Sequence, residues 1–374
     1  MRWQNDMNNQ DQKPSTIINT SQGSYRVIVG RGVIDDLGIE LSKIGQTGRA
    51  FLIADEVMFP NPVRRAHEAL ERGGFKTHVL ALELGEFNKN LDTVHTVYKW
   101  LAELHVERND IIVAMGGGVT GDLVGYAAAT WLRGVAIVHV PTSLAAMVDS
   151  SIGGKTGVNM PAGKNLIGAF HQPKLVVQDI EHLKTLPPRE MAAGWAEAIK
   201  HGLILDSRLL DKFESMAKKM NTLEGEEPVN AIRRSVAIKG QVISSDELET
   251  GNQRILLNYG HTIGHAIETV TGYETFLHGE AVAIGMTAAA EIAHRIGLIK
   301  SDLVVRQKSI LESFKLPTTA DNLDVNALIS ATKSDKKSRG GTIRWVLLEG
   351  PGKATTRENI PDAVVLDSLG SILS

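Results

Sequence analysis

Asp110-Ile-Ile-Val-Ala-Met115 runs directly into Gly116-Gly117-Gly118-Val119-Thr120-Gly121-Asp122, and a helical pattern follows. A short apolar run feeding a glycine turn and then a helix is how a nucleotide-binding α/β unit begins. The first helical amides have no partner inside the helix, and the helix dipole favours an anion there. The same residues allow a plain tight turn that uses glycine conformations, and with Gly117 filling the first variable place the run Gly116 to Gly121 is not a clean GxGxxG.

Outward from this turn, apolar runs bounded by glycine or polar residues recur at Tyr25 to Val29, Ala50 to Ala54, Thr77 to Leu82 and Val135 to Val140. Short runs that are apolar over most of their length fit strands buried on both faces. Helical patterns lie between several of them, as at Pro62 to Arg72 and Leu91 to Leu104, which predicts a doubly wound parallel sheet. Near Leu186-Pro187-Pro188, where the prolines cannot continue a helix, the pattern changes. Long amphipathic stretches follow at Arg189 to Ile204, Pro228 to Ser244 and His261 to Val270, with few strand signals. The prediction is an α/β protein with a disordered tail over 1–22, a Rossmann-like domain over 23–186 and a mostly α-helical domain over 187–374. The active site is expected in the cleft between the two domains.

The bulk numbers fit that division. The chain has 374 residues, against the roughly 150 of an ordinary domain. A hydrophobic share of 43% and a charged share of 22% argue against disorder, and a net charge of -3 gives no general pull toward nucleic acid or an anionic membrane. With no cysteine, disulfides and sulfur ligands are excluded, so a transition metal would fall to His and carboxylates. The start lacks a basic region followed by an apolar stretch, and no run reaches the ~20 apolar residues of a membrane span. A cytoplasmic protein is expected.

Several segments carry chemistry. Asp55 ends the Ala50 to Ala54 run where an acid can bind a ribose hydroxyl, and Gly85-Glu86-Phe87-Asn88-Lys89 is a charged loop after another run. The segment Pro141-Thr142-Ser143 through Asp149, Lys155 and Asn159, with Gly163-Lys164-Asn165 behind it, offers hydroxyls and two lysines for an anion. Its Gly-Gly-Lys-Thr piece lacks the earlier glycine of a P-loop, which rejects a Walker-type NTPase. His261, His265 and Glu268 share one helical face, and His278 follows. Two His four apart can share a metal, can divide metal binding from acid or base work, or can be satisfied structural histidines. Glu197 and Lys200 lie three apart on an otherwise apolar helix, where unpaired charge is expensive, although an ion pair satisfies both. Arg133, Lys239, Arg254 with Asn258, and Lys336-Lys337 add cations whose convergence spacing cannot show.

Taken in order, these motifs resemble 3-dehydroquinate synthase, a sugar-phosphate cyclase. They are the glycine triplet with Asp122, Val148-Asp149-Ser-Ser-Ile-Gly-Gly-Lys155-Thr-Gly-Val-Asn159, Gly163-Lys164-Asn165, Ala196-Glu197-Ala-Ile-Lys200, Arg254 to His265, His278-Gly-Glu280 and Asp335-Lys-Lys337. The resemblance runs from about residue 25 to the end. It implies conversion of 3-deoxy-D-arabino-heptulosonate 7-phosphate into 3-dehydroquinate and phosphate, in the shikimate pathway, with NAD regenerated in each turnover. It further implies zinc or cobalt on Glu197, His261 and His278. The implied NAD site comprises Asp55, Glu86, Lys89, Gly117, Gly118, Val119, Asp122, Thr142, Ser143, Lys155, Lys164, Thr185 and Leu186. The implied substrate contacts are Asp149, Lys155, Asn165, Lys200, Lys239, Arg254, Asn258, His265 and Lys336, with Arg133 reaching the phosphate from the neighbouring subunit of a homodimer. The stretch Glu249-Thr-Gly-Asn-Gln-Arg254 is one residue longer than the family's Glu-x-Gly-x-Arg, and Ser143 replaces a family Thr. Rivals are another sugar-phosphate cyclase, a metal-dependent polyol dehydrogenase on a similar fold, and a non-catalytic NAD-binding protein.

Overall fold

Eleven strands occur among the described residues: β1 (Ser15–Thr20), β2 (Gly23–Gly30), β3 (Arg49–Asp55), β4 (Lys76–Leu82), β5 (Ile111–Gly116), β6 (Ala136–Pro141), β7 (Lys155–Met160), β8 (Gly163–Phe170), β9 (Leu175–Asp179), β10 (Trp345–Gly350) and β11 (Lys353–Arg357). The structure is a computed structural model that describes residues 15–251, 253–321, 323–337 and 343–373, the side chains of 333–337 excepted. The chain forms two compact units, Met1–Leu186 with Ile232–Glu247, and Pro187–Ala231 with Leu248–Ser374.

The first unit is built on a seven-stranded sheet in the order β1-β2-β9-β6-β5-β3-β4. β1 runs antiparallel to β2, and every other neighbouring pair is parallel. Successive side chains of a strand point to opposite faces, and here both faces are apolar. Leu52 and Ala54 join Leu37, Leu41, Ala66 and Leu70 in one cluster. Phe51 and Ile53 join Val97, Leu101, Leu123 and Ala127 in another. That two-sided burial is why the central strands β3 and β5 read as near-continuous apolar runs. The parallel order and the helices on both faces make this unit Rossmann-like, as expected.

Three features differ from the sequence reading. Ser15–Thr20, inside the expected 1–22 tail, is a strand, and its Ile18 is fully buried against Gly240. Lys155 to Asn159 and Gly163 to Asn165, which the sequence offered to an anion without a strand assignment, lie in an antiparallel hairpin with a register shift between Val158 and Met160. Ile232–Glu247, inside the expected 187–374 domain, packs with the first unit. There Ser244 accepts from the Asn19 amide at 3.0 Å and Arg233 donates to the Val29 carbonyl at 2.9 Å. A helix one face of which is apolar settles where strands remain uncovered, and neither event has a local sequence signal.

The second unit is mostly helical, with the small hairpin β10-β11 that the sequence reading did not foresee. Trp195, Phe213 and Phe314 form its aromatic centre, with ring centroids 5.6–5.8 Å apart. Glycines let three helices approach closely: Pro188–Leu205, which carries Glu197, and the His261–Val270 and His278–Arg295 helices. A Cβ built on Gly279 would lie 1.9 Å from the Ala193 carbonyl oxygen, and one on Gly285 would lie 2.0 Å from that of Gly260. Backbone contact of this kind admits no side chain. Among the described residues no helix is long and apolar enough to cross a membrane.

Candidate active site

The first unit holds a polar cluster around the glycine turn. Gly117 caps the Gly118–Thr130 helix without a side-chain hydrogen bond, which leaves its first amides bare. Cβ atoms built on Gly117 and Gly118 would meet the hydroxyls of Ser143 and Ser150 at 3.5 and 3.1 Å. The Thr142 amide donates to Gly116 O at 2.9 Å. Thr142, Ser143, Gly117, Gly118 and Val119 are thus close neighbours, as an anion cradle requires.

Lys89 is 3% exposed, and its ammonium donates to Asp122 Oδ2 and to Asn165 Oδ1, each at 2.6 Å. Burial pushes the Asp122 carboxyl up while the Lys89 charge pulls it down. Lys164 lies 3.9 Å from Glu86. Asp55 accepts from the Val57 amide at 3.3 Å, and burial raises its pKa against the pull of the Val57 and Leu84 amides. Lys239 donates to both the carboxylate and the carbonyl of Asp149 at 2.6 Å. Lys155 starts β7 on the surface. Thr185 and Leu186 end a 3₁₀ turn in which the Thr185 hydroxyl donates to His182 O at 3.0 Å. Arg133 is exposed in a turn where it and Leu132 both take left-handed φ, 68° and 48°.

The second unit holds the other cluster. Glu197 and Lys200 are each 1% exposed, and the ammonium donates to Glu197 Oε2. Oε1, also buried, accepts no hydrogen bond from the described residues. It faces Nε2 of His261 at 3.7 Å and Nε2 of His278 at 3.8 Å. The tautomers follow from the partners on the far side. His261 Nδ1 lies 3.2 Å from the Tyr259 carbonyl and His278 Nδ1 lies 3.1 Å from Glu268 Oε2. Carbonyls and carboxylates only accept, so both Nδ1 atoms donate and each neutral ring presents a bare Nε2 lone pair. Burial, then the charge of Lys200 and the nearby His278 and His265, holds His261 well below the ordinary histidine pKa, in the neutral form.

In its neutral form His278 joins His261 and Glu197 Oε1 as a third acceptor, a convergence that a cation would satisfy. Ligand atoms each roughly 2.0–2.2 Å from one ion lie at most roughly 4.4 Å apart, and both measured separations fall inside that limit. The carboxylate and two imidazoles fit a divalent metal. His265 adds a third ring, with centroids 5.3 Å from His261 and 5.9 Å from His278. Arg254, 3% exposed, and Asn258 are the two ends of a 3₁₀ turn in the same unit. The Lys336 side chain lies outside the described residues.

Two residues gained no role from the sequence. Glu268 orients His278; its place one turn after His265 on the same helical face was the available signal. Glu280 accepts from the Leu277 amide at 2.8 Å and from Arg189 through two nitrogens at 2.6 Å each. This fixes the start of the His278 helix, and an acid at the third helical position was its signal.

The chain is similar to known proteins over most of its length. The families described as 3-dehydroquinate synthase N-terminal and C-terminal match residues 79–193 and 194–338. A 3-dehydroquinate synthase of Nostoc punctiforme is 43% identical over 93% of this chain and 96% of its own length. One from a Synechococcus species is 43% identical over 92% and 94%. Among solved structures, a 2-epi-5-epi-valiolone synthase of Streptomyces hygroscopicus subsp. jinggangensis, with NAD+ and Zn2+ bound, is similar at TM-score 0.87 and 25% identity over 94% of this chain and 98% of its own. A 2-deoxy-scyllo-inosose synthase complexed with carbaglucose-6-phosphate, NAD+ and Co2+ gives 0.83 and 28% over 96% and 100%. Two family descriptions that together span residues 79–338, and relatives this similar over nearly their whole length, place the chain in the 3-dehydroquinate synthase family.

Proposed function

We propose that this protein is a 3-dehydroquinate synthase, a lyase that turns 3-deoxy-D-arabino-heptulosonate 7-phosphate into 3-dehydroquinate and phosphate. The observation that carries the reading is the meeting of Glu197 Oε1 with two imidazole lone pairs on buried, glycine-packed helices. Glu197, His261 and His278 would hold zinc or cobalt. When bound, the metal would supply a Lewis acid for the substrate's hydroxyls, and NAD a transient hydride acceptor that acidifies the neighbouring C–H for phosphate elimination.

The chain's own residues hold one reactive molecule through every step. The glycine turn with Thr142 and Ser143 offers amides and hydroxyls to the dinucleotide phosphates, and Asp55, Glu86, Lys89, Asp122, Lys155, Lys164, Thr185 and Leu186 complete the NAD set. Lys200 occupies the second oxygen of the Glu197 carboxylate in a dry setting. Arg254 and Lys239 bind the substrate carboxylate. Asp149, Lys155, Asn165, Asn258, His265 and Lys336 contact the remainder, and Arg133 of a neighbouring subunit contacts the phosphate in a homodimer. The enzyme works in the cytoplasm, a reducing compartment that the absence of cysteine suits.

The test is turnover of the heptulosonate phosphate with trace NAD, followed by phosphate release and product identification. Many phosphates per NAD support the reading. Stoichiometric NADH would replace it with a dehydrogenase, and equal cyclisation of sedoheptulose 7-phosphate with another cyclase.

A further inference from the structure

β7 and β8 pair as Val158 with Ile167 and Met160 with Gly163, so Asn159 falls out of the ladder. Bulges of this kind re-aim a residue. The peptide N–H of Asn159 turns away from the hairpin and donates to the Lys89 carbonyl at 2.8 Å. Its side chain works in two directions. Oδ1 accepts from the Asn165 amide at 2.9 Å, and Nδ2 donates to Glu86 Oε1 at 2.7 Å. The amide orientation is set by its partners, because an N–H only donates and a carboxylate only accepts.

These partners already belong together. Asn165, held at φ 54°, returns its own Oδ1 to the Lys89 ammonium, which also binds Asp122. The ring Lys89–Asn165–Asn159–Lys89 thereby closes through three hydrogen bonds, with Glu86 tied to it by the fourth. Aspartate in place of Asn159 would retain the acceptor but set a second carboxylate beside Glu86. Alanine would lose all three side-chain bonds, the third being a longer one of 3.4 Å from Nδ2 to the Glu86 carbonyl.

We propose that Asn159 is a positioning residue: it locks the Glu86–Lys89 loop to Asn165 and so fixes the Lys89 ammonium and the Glu86 carboxylate for the dinucleotide. This rests on the assignment of Glu86 and Lys89 to the NAD site made above. Two readouts separate the claims. Hydrogen exchange in the NAD-free protein, over 83–90 and 163–168, reads the lock itself. Titration with NAD reads its use. Asn159→Ala is expected to speed exchange in both segments by about tenfold or more, and Asn159→Asp to weaken NAD binding by about tenfold, the loss expected for a charge-assisted hydrogen bond. In a Glu86→Gln background, whose amide can donate to the introduced carboxylate, the Asn159→Asp penalty should shrink to about threefold or less. Unchanged exchange in both segments, or the same Asn159→Asp penalty in both backgrounds, overturns the inference. If the unmutated protein fails to bind NAD, the cofactor reading falls and the exchange arm alone decides the lock.

Discussion

The Lys200 ammonium donates to Glu197 Oε2 from one helical turn further along, with both residues 1% exposed, while Oε1 of the same carboxylate is turned toward His261 and His278. On the proposed metal set, one carboxylate would answer two cations, one supplied by the chain and one bound as a ligand. Breaking a buried pair by removing one partner costs about 3–5 kcal/mol. Lys200→Met should lose that much stability when metal-free and regain part of it with Zn2+. Urea unfolding with and without Zn2+ reads both numbers, and a metal-free mutant as stable as its parent would refute the account.

Glu268 acts through His278 Nδ1, 3.1 Å away. Outer partners of this type are typically worth 10–100-fold in metal affinity. Glu268→Ala should weaken Zn2+ binding by about that factor in chelator competition. His278→Ala should abolish stoichiometric metal. An unaltered Zn2+ affinity in Glu268→Ala would exclude the orienting role.

His139 lies buried between β6 and the Gly118–Thr130 helix, where Cβ atoms on Gly121 and Gly125 would stand 3.5 and 3.6 Å from its ring. Burial lowers its pKa from the ordinary 6.5 to about 4. Above pH 6.5 both folded and unfolded chains hold it neutral. As pH falls toward 4 the unfolded chain takes up the proton first, so stability is lost across that window. By pH 5 the loss is about 2 kcal/mol. Denaturation at pH 7.5 and pH 5 should show His139→Gln losing less stability between the two values than the unmutated protein. Equal losses would assign the acid sensitivity to other groups.

Arg254 is 3% exposed, and a guanidinium can grip a carboxylate with two parallel bonds that an ammonium cannot reproduce. Arg254→Lys should therefore be damaging with charge retained. Losing a buried charged partner costs roughly 2–5 kcal/mol, or tens to thousands in kcat/KM at about 1.4 kcal/mol per tenfold. Steady-state kinetics on the carboxylated substrate, with Lys239→Ala alongside, decides it. Both variants within a few-fold of the parent would remove the carboxylate assignment.

Local order was legible in the sequence and long-range meeting was not. Ile111 to Met115 announced a strand because it is buried on both faces, and His261, His265 and Glu268 announced one helical face because 3.6 residues make a turn. The helix His261–Val270 has the bounds the periodicity gave. Nothing in the spacing places Lys89 on Asp122 and Asn165, because those contacts span 33 and 76 positions. The hairpin at 155–170 was masked by its glycines: Gly157 and Gly168 lie against opposing backbone, where side chains would otherwise have marked the alternation. Strand Ser15–Thr20 was hidden by polar neighbours, its one fully buried residue being Ile18.

The return of Ile232–Glu247 to the first unit has a consequence for how the protein is made. Ile18, Asn19, Val29 and Asp149 all find partners in that late segment. A ribosome adding roughly 5–20 residues per second needs about 3–12 s to lay down the 61 residues from Pro187 to Glu247. For that interval the nascent sheet waits with one flank uncovered. A gene cut after Leu186 would leave it so permanently, and the fragment would be chaperone cargo rather than a free-standing dinucleotide domain.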